Sequence, residues 1–134
     1  MSSSTDELVA RAAAVRAKAY APYSKFAVGA SIRMSGQIFD GVNVENASYG
    51  HAICAERSAI VSAVTAGATE LEEVAVATDA SPPSAPCGAC RQVLFEFAHD
   101  ASKVNVTAIN PKGERRSWTL AELLPDGFSG RDLP

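Results

Sequence analysis

The sequence predicts an α/β fold in which helices cover both faces of a mixed β-sheet. Apolar residues recur at helical and strand spacing in the order helix, two strands, helix, strand, helix, two strands, which is typical of layered α/β domains. The chain has 134 residues, of which 47% are hydrophobic and 20% charged, as expected for one folded domain. We therefore expect a single three-layer α/β/α domain over residues 1–134 with a five-stranded mixed sheet.

The first part of the chain predicts a helix followed by a β-hairpin. Ser4 and Glu7 have the spacing of a capping box, and apolar residues at helical spacing follow them, which predicts a helix over about 5–20. Apolar residues then alternate with small and polar ones, which predicts a half-buried strand. Because Ser35-Gly36 is a turn signal, residues 26–43 are expected to form a hairpin.

The rest of the chain predicts three helices and three strands. Residues 52–66 are rich in alanine and are followed by Gly67, which suits a helix that is buried on most sides. The remaining elements are expected as a central strand at 74–78, a helix at 88–98, strands at about 104–108 and 114–118, and a short helix at 119–124.

The charge of the chain argues against a nucleic-acid partner. Its formal net charge is -3, whereas proteins that bind phosphate backbones carry basic surfaces. The N-terminal residues lack the basic start and apolar stretch of a secretion signal, and no apolar run is long enough for a membrane helix. We therefore expect a cytoplasmic protein with no membrane partner, in which cysteines stay reduced.

Three cysteines lie in two short clusters, each at the expected start of a helix. Cys87-Gly88-Ala89-Cys90 can direct two sulfur atoms at one tetrahedral ion, because residues three apart at a helix start are close in space. This pattern alone also fits a thioredoxin-like redox pair or half of a structural zinc site. Cys54 adds a third thiol, and three protein ligands leave one coordination position open, as in catalytic zinc sites.

Glu56 lies two residues after Cys54. Positions two apart on a regular helix point about 200° away from each other, so both side chains face one pocket only if Cys54 lies at an irregular first turn. A carboxylate beside the metal can take a proton from water and later deliver one to a leaving amine. We therefore expect Glu56 to act as the general base and acid of a hydrolytic reaction.

Arg57 and Arg91 each follow a cysteine cluster directly. Three thiolates outweigh the charge of a zinc ion and weaken it as a Lewis acid, so hydrogen bonds from arginine to sulfur would restore its acidity. Both arginines could instead be solvated helix residues. His51 and His99 belong to no ligand pattern and are not expected in the site.

Taken together, these motifs resemble those of small homotetrameric cytidine deaminases that hold zinc with three cysteines. Zinc deaminases carry a His-x-Glu or Cys-x-Glu motif followed by Pro-Cys-x-x-Cys. The matching stretches occur in the same order over about residues 26–128: Phe26–Ala30, Asn43–Gly50, Cys54–Arg57, Pro86–Gln92 and Leu123–Phe128. The resemblance implies a cytidine-deaminase-like fold, one zinc ion per subunit and hydrolysis of cytidine and 2′-deoxycytidine in pyrimidine salvage.

The resemblance also implies which residues bind the nucleoside. Asn43 and Glu45 would bind ribose hydroxyls, Phe26 would pack on the nucleoside, and the backbone of Ala55 would read the pyrimidine edge together with Glu56. Simpler interpretations exist for three of them. Phe26 could be a core residue of the hairpin, Asn43 could shape a turn, and Glu45 could be a solvated charge.

Three further residues are expected, by the same resemblance, to reach a neighbouring subunit. Phe128, together with Ala47 and Tyr49, would cross into that subunit's site, so that the homotetramer would share its sites between chains. Tyr49 could equally be plain interface packing, because tyrosine is common at interfaces without touching substrate.

Other functions remain open on the sequence alone. The protein could deaminate a modified cytosine nucleoside such as blasticidin S, or a free base, although the pair Asn43 and Glu45 favours a ribose. An enzyme that edits nucleic acid is disfavoured by the acidic charge. A non-catalytic zinc or redox module built on Cys87 and Cys90 would need neither Glu56 nor Cys54.

Overall fold

A mixed sheet of five strands organises residues 3–134, the part of the chain that the computed structural model describes. The strands are β1 (Gly29–Met34), β2 (Gln37–Val42), β3 (Leu71–Ala77), β4 (Asn105–Ile109) and β5 (Arg115–Thr119). They lie in the order β2-β1-β3-β4-β5, with β3 and β4 parallel and the other neighbours antiparallel. This confirms the predicted mixed sheet.

Within the described residues, four helices cover the two faces of the sheet. They are α1 (Ser4–Val15), α2 (Ala55–Thr65), α3 (Gly88–Glu96) and α4 (Leu120–Leu123). Apolar residues of α1 pack on one face, and those of α2, α3 and α4 share one core on the other. The result is the expected three-layer arrangement, with element ends that differ by a few residues from the sequence-based bounds.

The start of α1 differs from the prediction by one residue. The capping box is formed by Ser3 and Asp6 rather than by Ser4 and Glu7: the Ser3 hydroxyl accepts the Asp6 N–H at 3.1 Å, and the Asp6 carboxylate accepts the Ser3 N–H at 3.3 Å. Both pairs have the same spacing, so the pattern could not choose between them. The helix also ends earlier than expected, in a 3₁₀ turn at Arg16–Lys18.

Strand β1 is buried on both faces, so the prediction of a half-buried strand is wrong. Ser31, on the face predicted to be exposed, is fully buried and donates a hydrogen bond to Asp40 of β2 at 2.9 Å. Helix α1 covers this face and hides its small and polar residues. The hairpin ladder begins at Gly29 and not at position 26, because backbone groups of residues 26–28 bond to the side chain of Asn43.

Two glycines let helices approach the sheet closely from opposite sides. A Cβ at Gly29 would lie 2.2 Å from the carbonyl oxygen of Ala12 in α1, and one at Gly41 would lie 2.4 Å from that of Ala55 in α2. Since real Cβ atoms do not approach so closely, any larger residue would push the helix away. Gly41 therefore sets how near the first turn of α2 lies to β2.

Helix α2 is less buried than its alanine-rich sequence predicted. Val61 and Val64 are 59% and 45% exposed, because only one side of the helix packs on the sheet.

Among the helices of residues 3–134, none combines the length and the hydrophobicity that a membrane crossing requires.

Candidate active site

Three thiols from two helix starts meet at one end of the sheet. The Sγ atoms of Cys54 and Cys87 are 3.9 Å apart, and those of Cys54, Cys87 and Cys90 all lie within 4.8 Å of one another. Zinc bound tetrahedrally at about 2.3 Å holds its sulfur ligands about 3.8 Å apart, so the cluster fits a zinc ion. A redox pair would require only two of these thiols and leaves the third unexplained.

The backbone at both helix starts directs the thiols into the cluster. Cys54 and Cys87 are the N-cap residues of α2 and α3, and both have extended backbone angles. Neither side chain caps its helix, although N-cap side chains commonly bond the first free N–H groups. The irregular first turn that Cys54 and Glu56 required is therefore present, and the sulfur atoms are free for another partner.

The cluster favours a thiolate at Cys54. A hydrogen bond from Cys90 lowers the pKa of Cys54 to about 6, and weaker contributions come from the Cys87 thiol and the charge of Arg57. The same contact raises the pKa of Cys90, and its burial adds to the shift. Because metal ligation requires deprotonated sulfur, the lowered pKa of Cys54 favours binding of a cation.

Glu56 lies in the first turn of α2 and is only 4% exposed. Burial raises the pKa of its carboxyl to about 7; a hydrogen bond to its own backbone opposes the shift, and a nearby Cys54 thiolate adds to it. A carboxyl with a pKa near neutrality can both accept and donate a proton at physiological pH. Glu56 therefore has the properties of a proton carrier beside the thiol cluster.

A cavity of about 270 Å³ opens above these groups. Its size is near the lower end of small-molecule binding sites. Seven residues that the sequence singled out line it: Phe26, Asn43, Glu45, Cys54, Ala55, Glu56 and Cys87. Phe26 is 40% exposed at the wall of this cavity and lies outside both apolar cores, so it is not the core residue of the hairpin.

Asn43 and Glu45 reach the cavity and also fix the loop before β1. The Asn43 amide oxygen accepts the Val28 N–H at 2.8 Å, and its nitrogen donates to the Phe26 carbonyl at 2.8 Å. One Glu45 oxygen accepts the backbone N–H groups of Tyr23 at 2.9 Å and of the following serine at 3.1 Å. The two side chains are therefore ordered before any ligand binds.

The two arginines act at different places. Arg57 contributes positive charge that lowers the pKa of Cys54. Arg91 donates to the backbone carbonyls of Pro86 at 2.7 Å and Leu123 at 2.9 Å. The guanidinium of Arg91 thus anchors the residue before Cys87, whereas the sequence suggested a hydrogen bond to sulfur.

The residues expected to serve a neighbouring subunit lie at the surface. Tyr49 is 77% exposed, and its ring stands 6.0 Å from that of Tyr23 beside a second, shallower cavity of about 340 Å³. Phe128 is 57% exposed, and its carbonyl accepts a hydrogen bond from Gln92 at 2.9 Å. Neither Phe128 nor the exposed Ala47 lines the cavity above the thiols in its own chain.

Ser24 lines both cavities and was not expected from the sequence. Its hydroxyl donates to Glu45 and accepts the Phe26 N–H at 3.0 Å. A serine shortly after a proline is ordinary in a turn, so the sequence around Pro22 and Tyr23 indicates a turn but no functional role for Ser24. Its contact with Glu45 arises only in the folded chain, because the loop that carries Ser24 folds back on a residue distant in sequence.

Comparison with known proteins agrees with this geometry. Residues 2–108 match the family model described as the cytidine and deoxycytidylate deaminase zinc-binding region. The chain is 43% identical over 129 residues to a cytidine deaminase of Sporosarcina psychrophila, which covers 96% of this chain and 93% of that protein. The crystal structure of cytidine deaminase from Burkholderia pseudomallei superposes with a TM-score of 0.87 at 44% identity, covering 94% of this chain and 100% of that one. That from Mycobacterium tuberculosis has a TM-score of 0.80 at 36% identity, covering 95% and 98%.

These similarities extend over nearly the whole of each protein and are not confined to one motif. The region matched by the family model contains the three clustered thiols and the buried carboxyl beside them. The solved structures share the same three-layer fold. The chain therefore belongs to the cytidine and deoxycytidylate deaminase family of zinc-dependent hydrolytic enzymes.

Proposed function

We propose that the protein hydrolyses cytidine and 2′-deoxycytidine to uridine and 2′-deoxyuridine and releases ammonia, a reaction of pyrimidine salvage. One observation carries this proposal: the buried carboxyl of Glu56 lines the same cavity as Cys54 and Cys87, two members of the cluster of three thiols. The relatives named cytidine deaminase support the choice of substrate.

Cys54, Cys87 and Cys90 hold one zinc ion per subunit. When bound, the zinc ion supplies a Lewis acid that makes water nucleophilic at neutral pH. Arg57 offsets part of the negative charge of the thiolates, in keeping with its effect on Cys54. Arg91 keeps Cys87 in place by holding the carbonyl of Pro86.

Glu56 moves the protons of the reaction. Its carboxylate accepts a proton from the attacking water and delivers it to N3 of the pyrimidine, while the water oxygen bonds to C4. Glu56 then passes the second proton of that water to the exocyclic nitrogen, the bond from C4 to nitrogen breaks, and a carbonyl remains at C4. One water is consumed for each ammonia released, and a pKa near 7 suits both transfers.

The cavity wall positions the nucleoside. Phe26 packs on the substrate, and Asn43 and Glu45 bind ribose hydroxyls with the hydrogen-bonding capacity that their internal contacts leave free. The backbone of Ala55, in the first turn of α2, binds the pyrimidine edge next to Glu56. A ribose contact of this kind favours nucleosides over the free base.

The active form is a homotetramer in which Phe128, Ala47 and Tyr49 contribute to a neighbouring site. Their exposure supports this assembly, as do Val61 and Val64 on the uncovered side of α2, because exposed apolar side chains are stabilised by burial between subunits. Light scattering after gel filtration measures the subunit number; a monomer with full activity would contradict the shared site.

The proposal extends to the domain organisation and the cellular compartment. Residues 1–134 form a single domain, supported by the one sheet that joins all five strands. The compartment is the cytoplasm, supported by three free thiols, which reducing conditions preserve.

The direct test follows cytidine by its absorbance while purified protein is added. We expect the cytidine band to fall and ammonia to appear in equal amount, activity to disappear with a zinc chelator, and zinc to restore it. Free cytosine and a cytosine-containing oligonucleotide serve as comparison substrates and should react far more slowly. Protein that carries about one zinc per chain but leaves cytidine unchanged would sink the proposal.

A further inference from the structure

We propose that Ser24 is a positioning residue that ties the Glu45 carboxylate to the backbone of Phe26 and thereby sets the affinity for the ribose hydroxyls. The inference rests on the proposed nucleoside deaminase function. It concerns a residue on the loop before β1, away from the thiol cluster and Glu56.

The Ser24 hydroxyl uses both of its hydrogen-bonding functions. It donates its proton to one carboxylate oxygen of Glu45 and accepts the backbone N–H of Phe26 at 3.0 Å. The backbone N–H of Ser24 donates to the other Glu45 oxygen at 3.1 Å. Ser24 therefore holds both oxygens of Glu45 and the start of the Phe26 segment at once.

These contacts leave Glu45 with limited capacity for a ligand. A carboxylate accepts about four hydrogen bonds. Ser24 supplies two, and the Tyr23 N–H supplies a third at 2.9 Å. The acceptor position that remains suits one ribose hydroxyl, and the Ser24 contacts fix the direction in which it points.

Glu45 stays in the charged form that accepts hydrogen bonds most strongly. The hydrogen bond from the Ser24 hydroxyl is the main cause that lowers the pKa of Glu45, and Lys25 adds a smaller electrostatic contribution. Hydrogen bonds to a charged acceptor are stronger than those between neutral groups. Loss of the Ser24 hydroxyl is therefore expected to lower the affinity for the ligand.

The same hydroxyl stabilises an uncommon backbone turn. Lys25, between Ser24 and Phe26, has a φ of 62°, in the left-handed region that side-chain-bearing residues seldom adopt. Such a conformation persists only when neighbouring contacts hold it. Ser24 holds the Phe26 N–H, and Asn43 holds the Phe26 carbonyl at 2.8 Å, so the aromatic wall and the carboxylate are fixed together.

The test compares Ser24→Ala and Ser24→Thr with the wild-type holoenzyme. The measured quantities are the competitive inhibition constants of uridine and 2′,3′-dideoxyuridine against cytidine deamination, since both uracil nucleosides lack the exocyclic amine and bind without reacting. Ser24→Ala should weaken the binding of uridine about five- to tenfold. It should weaken the binding of dideoxyuridine by less than about twofold, because dideoxyuridine lacks the 2′ and 3′ hydroxyls. Ser24→Thr keeps a hydroxyl and should bind uridine within about twofold of wild type.

Ser102→Ala is the matched control. The Ser102 hydroxyl and N–H both bond to the Asp100 carboxylate, at 2.6 and 3.1 Å, which repeats the serine–carboxylate contact outside both cavities. Neither inhibition constant should change in this variant. Melting temperature and zinc content, measured for every variant, show whether the fold and the metal site are retained.

The possible results separate this inference from the proposed function. The role of Ser24 is overturned if Ser24→Ala weakens the binding of both inhibitors equally or leaves uridine binding unchanged. It is also overturned if Ser24→Thr binds uridine as weakly as Ser24→Ala. Equal affinity of the wild type for uridine and dideoxyuridine also overturns it, since no hydroxyl contact then exists. A wild type that does not deaminate cytidine contradicts the proposed function itself.

Discussion

Glu56 and Glu73 are both buried glutamates, but they lie on opposite sides of the sheet and in different surroundings. They are 4% and 8% exposed, so each carboxyl is largely removed from water. Glu73 lies on the face covered by α1, whereas Glu56 lies in the first turn of α2 on the other face. Comparing them shows what burial of a carboxyl does in each layer.

Glu73 is surrounded by donors. Its carboxylate pairs with Arg33 at 3.1 Å and accepts a hydrogen bond from the Thr5 hydroxyl. Arg33 also pairs with Glu7 of α1 at 3.2 Å. These contacts attach α1 to the sheet, where the apolar cluster is small, so the charges of this face contribute to the fold.

Glu56 has different neighbours. Within residues 3–134, no lysine or arginine forms an ion pair with it, and its carboxyl lies near the Cys54 thiolate, whose negative charge also raises its pKa. Burial without a cation raises the pKa of Glu56 to about 7. A buried carboxyl left without a compensating charge costs stability, and such groups are concentrated at catalytic sites.

The largest expected effect is on the Glu56 side. Glu56→Gln should lower kcat for cytidine by about 10³-fold or more, because the amide keeps the shape but cannot carry protons. Zinc content and melting temperature should stay close to wild type. Steady-state kinetics and metal analysis check this, and wild-type-like turnover would refute the proton-carrier role.

Glu73→Gln is the matched change on the other face. It should lower the free energy of unfolding by roughly 2–4 kcal/mol, because Arg33 loses its buried partner, while kcat stays near that of wild type. Urea unfolding and kinetics on the same preparation test both parts. If kcat fell as far as in Glu56→Gln, the distinction between the two faces would be lost.

The pH dependence of stability sharpens the contrast. The pKa of Glu56 rises from an ordinary 4.5 to about 7 on folding, so the favourable contribution of the protonated form is complete below pH 4.5 and is lost as pH rises through 7. Both the wild type and Glu56→Gln are measured with a zinc chelator present. Relative to this variant, the wild type should lose up to about 3 kcal/mol of unfolding free energy between pH 4.5 and 8. Cys54 titrates in both proteins, so the difference reports on Glu56. Urea unfolding at several pH values measures it, and a constant difference would argue against the raised pKa.

The smallest effect is expected for an outer ion pair of the α1 face. Arg11 and Asp40 are 2.9 Å apart, but their side chains are 45% and 29% exposed. Arg11→Ala should cost less than about 1 kcal/mol of unfolding free energy, since solvent screens such pairs. The same urea titration measures this loss. A loss as large as that of Glu73→Gln would show that side-chain exposure does not predict how much each ion pair contributes to stability.

The sequence by itself determined the order of elements and the content of the reactive cluster. Apolar spacing fixes which segments are helices or strands, and Cys54, Glu56, Cys87 and Cys90 are marked by spacing within single helix starts. These signals are local, because they depend on residues within one or two turns of one another. The capping box shows their limit, since Ser3 and Ser4 offered the same pattern.

Only the tertiary structure decided how these segments meet. It brings Cys54 and Cys87 to 3.9 Å although 33 residues separate them, buries Ser31 beneath α1, and directs Arg91 to backbone carbonyls. It also reveals that Asn43 and Glu45 fasten the loop that carries Ser24 and Phe26. The physical reason is that polar side chains bond whichever groups the packed chain places within reach, and those groups come from segments distant in sequence.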